Sequence, residues 1–108
     1  MSDKKKKIML DAKAKILKAL AHPTRIMIIE KLSNDGETCV CKFVELAGAD
    51  FYTVSKHLTV LKEAGVVSDE KRGQQVYYKL EMSCAMRFIN CLENVIKSDM
   101  KEQMEIFK

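Results

Sequence analysis

One proline and four glycines in 108 residues are too few for a collagenous, repetitive or disordered chain. The only low-complexity stretch is the lysine run Lys4 to Lys7. No apolar run approaches the roughly 20 residues of a membrane span, and the basic start MSDKKKKIML is not followed by the apolar region of a secretory signal. A cytoplasmic protein with no membrane partner is therefore expected. Histidine is scarce, with only His22 and His57, and cysteine is limited to Cys39, Cys41, Cys84 and Cys91. Four cysteines in an intracellular setting read as reduced thiols, available for metal, redox or core roles, rather than as a disulfide framework.

What is present is a soluble globular composition, 47% hydrophobic and 31% charged. The length supports one domain with a modest core, which favours a binding module over an enzyme with a deep enclosed pocket. No acid–base pair accompanies the thiols, and no catalytic residues are assigned. The net charge of +4, from 19 Lys and Arg against 15 acids, fits an anionic partner such as DNA without establishing one.

Residues 1–7 read as a disordered basic tail, either solvated or making nonspecific phosphate contacts, and residues 8–108 as the folded domain. Met9, Ala12, Ile16, Ala19 and Leu20 share one face of an amphipathic first helix, 8–20. Pro23 starts a second helix, which turns Ile26, Ile29 and Leu32 inward and stops at Asn34, Asp35 and Gly36. His22 is a helix-start residue, and His57 packs or touches backbone rather than binding metal. Thr38 to Val40 is extended. Val40, Phe43, Val44 and Ala47 follow helical spacing up to Gly48, a natural left-handed cap. Asp50 caps a fourth helix with Val54, Leu58 and Leu61 facing the core and Gly65 at its end.

Two short helices joined by so tight a turn form a helix-turn-helix unit, whose second helix offers its exposed side to the major groove. In VVSDEKRGQQVYYKL, Val76, Tyr78 and Leu80 alternate on one face around a polar tip, which reads as a β-hairpin and hence a wing. The last helix, 83–103, carries two apolar stripes: Ala85, Ile89, Leu92 and Ile96, and beside them Cys84, Phe88, Cys91 and Val95. That face is wider than a core of this size covers, so helices 8–20 and 83–103 are expected to pair two copies into a homodimer. The fold class is mostly α with a small β-hairpin: a winged helix-turn-helix with a long C-terminal dimerisation helix.

Phe51, Tyr52, Thr53, Ser55, Lys56 and Thr59 are not used for the core of the fourth helix. The candidate DNA contacts are Tyr52, Thr53, Ser55, Lys56 and Thr59, with hydroxyls and an ammonium suited to base edges and phosphates, and the wing-tip residues Lys71, Arg72 and Gln74. Cys39 and Cys41, at i and i+2 where chain enters helix, can both reach one soft ion. The helix N-terminus and adjacent Lys42 favour the Cys41 thiolate.

The order of elements resembles the ArsR/SmtB family of winged-helix repressors. KALAHPTRIMIIEKL is similar to that family's second-helix signature, ETCVCKFVELAG to its metal-binding box, and TVSKHLTVLKEAGVVSDEKRGQQVYYKL to its recognition helix and wing. Ser55 and Lys56 fall within its S-x-H-L pattern of DNA-contacting positions. The resemblance covers about residues 12–96. It implies a homodimeric repressor on a palindromic operator, released by arsenite or antimonite, As(III) or Sb(III), or by a soft ion such as Cd(II) or Pb(II) held by Cys39 and Cys41. Some members supply a third cysteine three residues on; here that position is Val44. Cys84 and Cys91, about 10 Å apart along one helix face, are the remaining thiols, as third ligand, redox partners or core residues. The zinc site that other members build on the last helix from carboxylates and histidines is not expected, because neither histidine lies there. The rival reading keeps the repressor and makes the signal redox or persulfide, with Cys39 or Cys41 pairing with Cys84 or Cys91. A more distant one is a winged-helix interaction module without DNA.

Overall fold

The computed structural model describes residues 2–106. Among them the order is α1 (Asp3–Leu20), α2 (Pro23–Asp35), β1 (Thr38–Cys39), α3 (Val40–Ala47), α4 (Phe51–Glu63), β2 (Val67–Arg72), β3 (Gln75–Leu80) and α5 (Ala85–Ile106). α1, α2 and α4 each start where a local side chain satisfies an orphan N–H. Ser2 accepts from the Lys5 amide, His22 Nδ1 from Thr24 at 3.1 Å, and Asp50 Oδ1 from Thr53 at 2.7 Å. Because the Ser2 cap lies so early, Lys4 to Lys7 form the first turns of α1, where a disordered tail over residues 1–7 was expected.

Gly48 ends α3 at φ 61° and so turns the chain into α4, a left-handed conformation that glycine takes without the usual Cβ penalty. α3 packs on α4, and α4 on β2. The core centres on Phe43, Ile28, Ile29, Val54, Leu58, Leu61 and Val66, all essentially without solvent exposure. In α2 the buried set is Ile28, Ile29 and Leu32, with Ile26 only half-buried. Ile26, Met27, Ile28 and Ile29 are consecutive apolar residues, so spacing alone cannot choose which of them face the core.

The hairpin turns at Gly73–Gln74, with Arg72 opposite Gln75 and Gly73 at φ 63°, as a type II′ turn requires at its first central position. It is part of a three-stranded antiparallel sheet of order β1-β3-β2, in which Thr38 faces Tyr78 and Cys39 faces Tyr77. The third strand, β1, is two residues long, too short to show the alternation that marks a strand in sequence.

α1 and α5 bury only part of their apolar faces. Ala19, Leu20, Ala85 and Ile89 are in the core, whereas Ile8, Met9, Leu10, Leu17, Phe88, Leu92, Val95, Ile96 and Met100 are exposed. Met9 and Ala12, expected on the inner face of α1, do not reach the core.

Candidate nucleic-acid interface and thiol pair

Asp50 fixes the start of α4, and burial of Val54, Leu58 and Leu61 fixes its rotation. The opposite side is a shallow depression of about 380 Å³ lined by Tyr52, Ser55, Lys56, Thr59 and Val60. Four of the five lining residues are candidate DNA contacts; the fifth candidate on this helix, Thr53, is exposed beside them. Lys56 Nζ lies 5.0 Å from the centre of the Tyr52 ring, a cation–π contact that holds the ammonium over the exposed face. Phe51 and Tyr52 are 60% and 68% exposed, an unusual placement for two aromatic rings unless a partner covers them.

His57, on the core side of the same helix, packs against His22 with ring centres 4.3 Å apart and the planes tilted by 41°. Arg25 NH1 lies 3.2 Å from His57 Nδ1, while its Nε donates to the Ala19 carbonyl at 2.7 Å. Arginine can only donate, so His57 Nδ1 is the acceptor and the neutral ring carries its proton on Nε2. Desolvation first, then the charges of His22 and Arg25, holds the His57 pKa below the usual histidine value.

At the wing tip Lys71, Arg72 and Gln74 are exposed. Arg72 is already engaged: it pairs with Glu37 and with Glu70 at 2.9 Å, and its guanidinium lies 5.0 Å from the Tyr77 ring centre. Its carboxylate partners push its pKa further up. Among the described residues Lys71 and Gln74 show no such partner, so they are the tip's uncommitted polar groups.

Cys39 ends β1 and Cys41 lies in the first turn of α3. Their sulfurs are 2.7 Å apart, with Cys41 Sγ–H donating to Cys39 Sγ, and Cys39 Sγ–H donating to Gln75 Oε1 at 3.0 Å. The hydrogen bond to Cys39, with a smaller contribution from desolvation, pushes the Cys41 pKa up. That reverses the expectation that the helix N-terminus and Lys42 would favour its thiolate. Lys42 leans instead towards Glu45, 4.0 Å away, and the donated thiol proton outweighs the favourable backbone bonds.

Cys84 and Cys91 are exposed, so neither is a core residue of this chain. Among the described residues no third cysteine, histidine or carboxylate joins Cys39 and Cys41 in a cluster able to hold a metal ion. No helix is long and apolar enough to cross a membrane, among the described residues. Sequence reasoning missed Gln75 and Glu37, because their approach to Cys39 and Arg72 depends on β1 joining the hairpin.

A tight α3–α4 unit, an exposed polar face on α4 and a sheet-anchored hairpin define a winged helix-turn-helix domain of the DNA-binding kind. Residues 22–69 match the family model described as bacterial regulatory protein, arsR family. An uncharacterized HTH-type transcriptional regulator of Methanocaldococcus jannaschii is 42% identical over 65 residues, covering 60% of this chain and 73% of that protein. The cadmium resistance transcriptional regulatory protein CadC homolog of Staphylococcus aureus is 41% identical, covering 63% and 56%. The arsenical resistance operon repressor of Escherichia coli is 38% identical, covering 60% and 56%. The chain thus spans a little over half the length of these last two relatives. In three dimensions it is similar to a homodimeric winged helix-turn-helix DNA-binding domain from Mycobacterium bovis, with a TM-score of 0.79, 28% identity, and 94% and 93% of the two chains covered. The chain belongs to the arsR family of bacterial regulatory proteins, which are transcriptional regulators rather than enzymes.

Proposed function

We propose that this protein is a homodimeric repressor that leaves its operator when Cys39 and Cys41 take up a soft ion. The observation that carries this reading is the pair of adjacent thiols, 2.7 Å apart at the start of α3, bonded to the wing through Gln75. Thiolate sulfur selects soft ions over hard ones, and binding releases the thiol protons. The two cysteines fit as two donors for arsenite, antimonite, Cd(II) or Pb(II). The names of the Staphylococcus aureus and Escherichia coli relatives, which refer to cadmium and arsenical resistance, support this ion class. Since no third donor joins them within one chain among the described residues, a three-sulfur site draws on Cys84 or Cys91 across the dimer.

The exposed side of α4 enters the major groove, with Ser55, Lys56, Thr53 and Thr59 at base edges and phosphates. Phe51 and Tyr52 supply apolar contact of the kind thymine methyl groups accept. Lys71, Gln74 and Arg72 follow the neighbouring backbone. The exposed apolar residues of α5 and of α1 form the dimer interface, as the homodimeric Mycobacterium bovis domain suggests. An ion that prefers the DNA-free form weakens operator binding by the same factor by which DNA weakens ion binding.

A second reading rests on the same contact. Sulfurs in direct contact are placed for a two-electron oxidation to the Cys39–Cys41 disulfide: the S–S bond forms as the O–O bond of a peroxide breaks, and the two thiol protons leave with its oxygens as water. The test titrates the reduced protein on its upstream promoter DNA with arsenite, Cd(II), Zn(II) and peroxide. Wild type is compared with Cys39→Ser/Cys41→Ser and with Cys84→Ser/Cys91→Ser. Release by arsenite or Cd(II) that disappears in the first pair of substitutions is the expected result. Release by peroxide alone would replace the ion with an oxidant, and release by nothing would remove the thiols from signalling.

A further inference from the structure

We propose that Gln75 transmits the state of the Cys39 sulfur to the wing. This rests on the thiol-sensor reading above, and adds to it the residue through which the sensor acts.

Gln75 is the first residue after the wing turn and pairs with Arg72 across it. Both members of that closing pair are fastened to the same short segment, residues 37–39. Gln75 Oε1 accepts the Cys39 thiol proton at 3.0 Å, and Arg72 pairs with Glu37. Residues 70–75 are exposed, so beyond the β2–β3 ladder itself the tip is held by these two side-chain bonds, the Arg72–Glu70 pair and the Arg72–Tyr77 contact.

The two bonds differ in kind. Glu37 and Arg72 keep their charges whatever happens to the sulfur, whereas the Cys39 bond exists only while the sulfur carries a proton. A carbonyl oxygen can accept and cannot donate. Once Cys39 is ligated, capped or oxidised, its sulfur has no proton to offer, and two lone-pair atoms face each other at 3.0 Å. Gln75 must then turn its amide over or withdraw. An amide turned over keeps a contact with the sulfur, now as donor; withdrawal frees Gln75, which closes the hairpin opposite Arg72, and loosens the tip that carries Lys71 and Gln74. Cys41 donates to Cys39 and so bears on the same bond. The order of influence is therefore Cys41, Cys39, Gln75, wing.

The test reads the wing without any ion. Amide hydrogen exchange over residues 70–77 is followed in the reduced full-length protein before and after capping with methyl methanethiosulfonate. In that reaction the thiolate sulfur bonds to the methylthio group, methanesulfinate leaves and the thiol proton goes to solvent. The same samples are then measured with arsenite, and operator affinity is recorded for each. Gln75→Met removes the acceptor at similar length, and Gln75→Glu restores one. Gln75 is exposed, so neither substitution disturbs the core.

In wild type, capping is expected to speed exchange at the wing. Operator affinity falls within the roughly 5- to 150-fold span usual for coupled sites. In Gln75→Met exchange starts fast, and capping changes affinity by less than about 2-fold on that scale. Gln75→Glu, which restores an acceptor, recovers the slow starting exchange, while its added charge lowers operator affinity by itself. If the Gln75→Met wing responds to capping as wild type does, or the wild-type wing does not respond, the role of Gln75 is overturned, even where arsenite still releases DNA. If capping acts through Gln75 and arsenite does nothing, the role of Gln75 holds and the ion reading falls.

Discussion

Arg25 donates to Nδ1 of His57 at 3.2 Å, joining the start of α2 to the core side of α4 through a ring that has to stay neutral to accept. The contact gives His57 a part in the acid response of the fold. The folded pKa of His57 lies below the usual histidine value because of desolvation and the neighbouring His22 and Arg25 charges. The unfolded chain therefore binds the proton more tightly, and stability rises with pH across the interval. This contribution is complete above the ordinary value of about 6.5 and is lost as pH falls through the lower folded value. Urea midpoints measured between pH 7.5 and 5 should decline in wild type, and decline less in His57→Gln, which keeps a neutral acceptor for Arg25. An equal slope in both proteins would assign the acid response to other groups.

Lys56 stands over the Tyr52 ring on the exposed side of α4. If it meets a phosphate, Lys56→Ala should weaken binding to operator and unrelated duplex alike and reduce the salt dependence, log K against log salt, by about 1. Loss of discrimination between the two duplexes with an unchanged salt slope would instead put Lys56 at a base edge.

Val95 and Ile96 are 64% and 56% exposed on α5, so replacing both with glutamate leaves the core of one chain untouched. Burying such a side chain contributes about 1.5–3 kcal/mol, and in a two-fold interface each substitution counts twice. Val95→Glu/Ile96→Glu should sediment as a monomer with its helical signal retained and bind palindromic DNA poorly. A variant that remains dimeric would move the interface away from this stretch of α5.

The limits of α3 and α4 and the exposed side of α4 were legible because their signals lie within one or two turns of chain, whereas the start of α1 at Asp3 was not. Asp50 marks the start of α4, Gly48 the end of α3, and Val54, Leu58 and Leu61 choose the buried side, leaving Tyr52, Ser55, Lys56 and Thr59 outward. The hairpin was legible in the same way, from alternation around a glycine turn. In α2 the reading was incomplete, since a run of apolar residues offers several faces and only packing selects Ile28 over Ile26.

By itself, then, the sequence determined which segments are helical, where the wing turns and which side chains α4 leaves for a partner, since caps and periodicity are short-range properties. Tertiary structure alone decided what the thiols touch. Cys39 and Gln75 are 36 residues apart in the chain, and so are Thr38 and Gln74 beside them; only the β1–β3 ladder brings Cys39 to Gln75 and Glu37 to Arg72. Such pairing depends on register between distant segments, and a two-residue strand carries no pattern that announces it. The neighbouring Cys41–Cys39 bond reversed the expected effect on Cys41, because the proton it donates outweighs the favourable backbone bonds of the helix start.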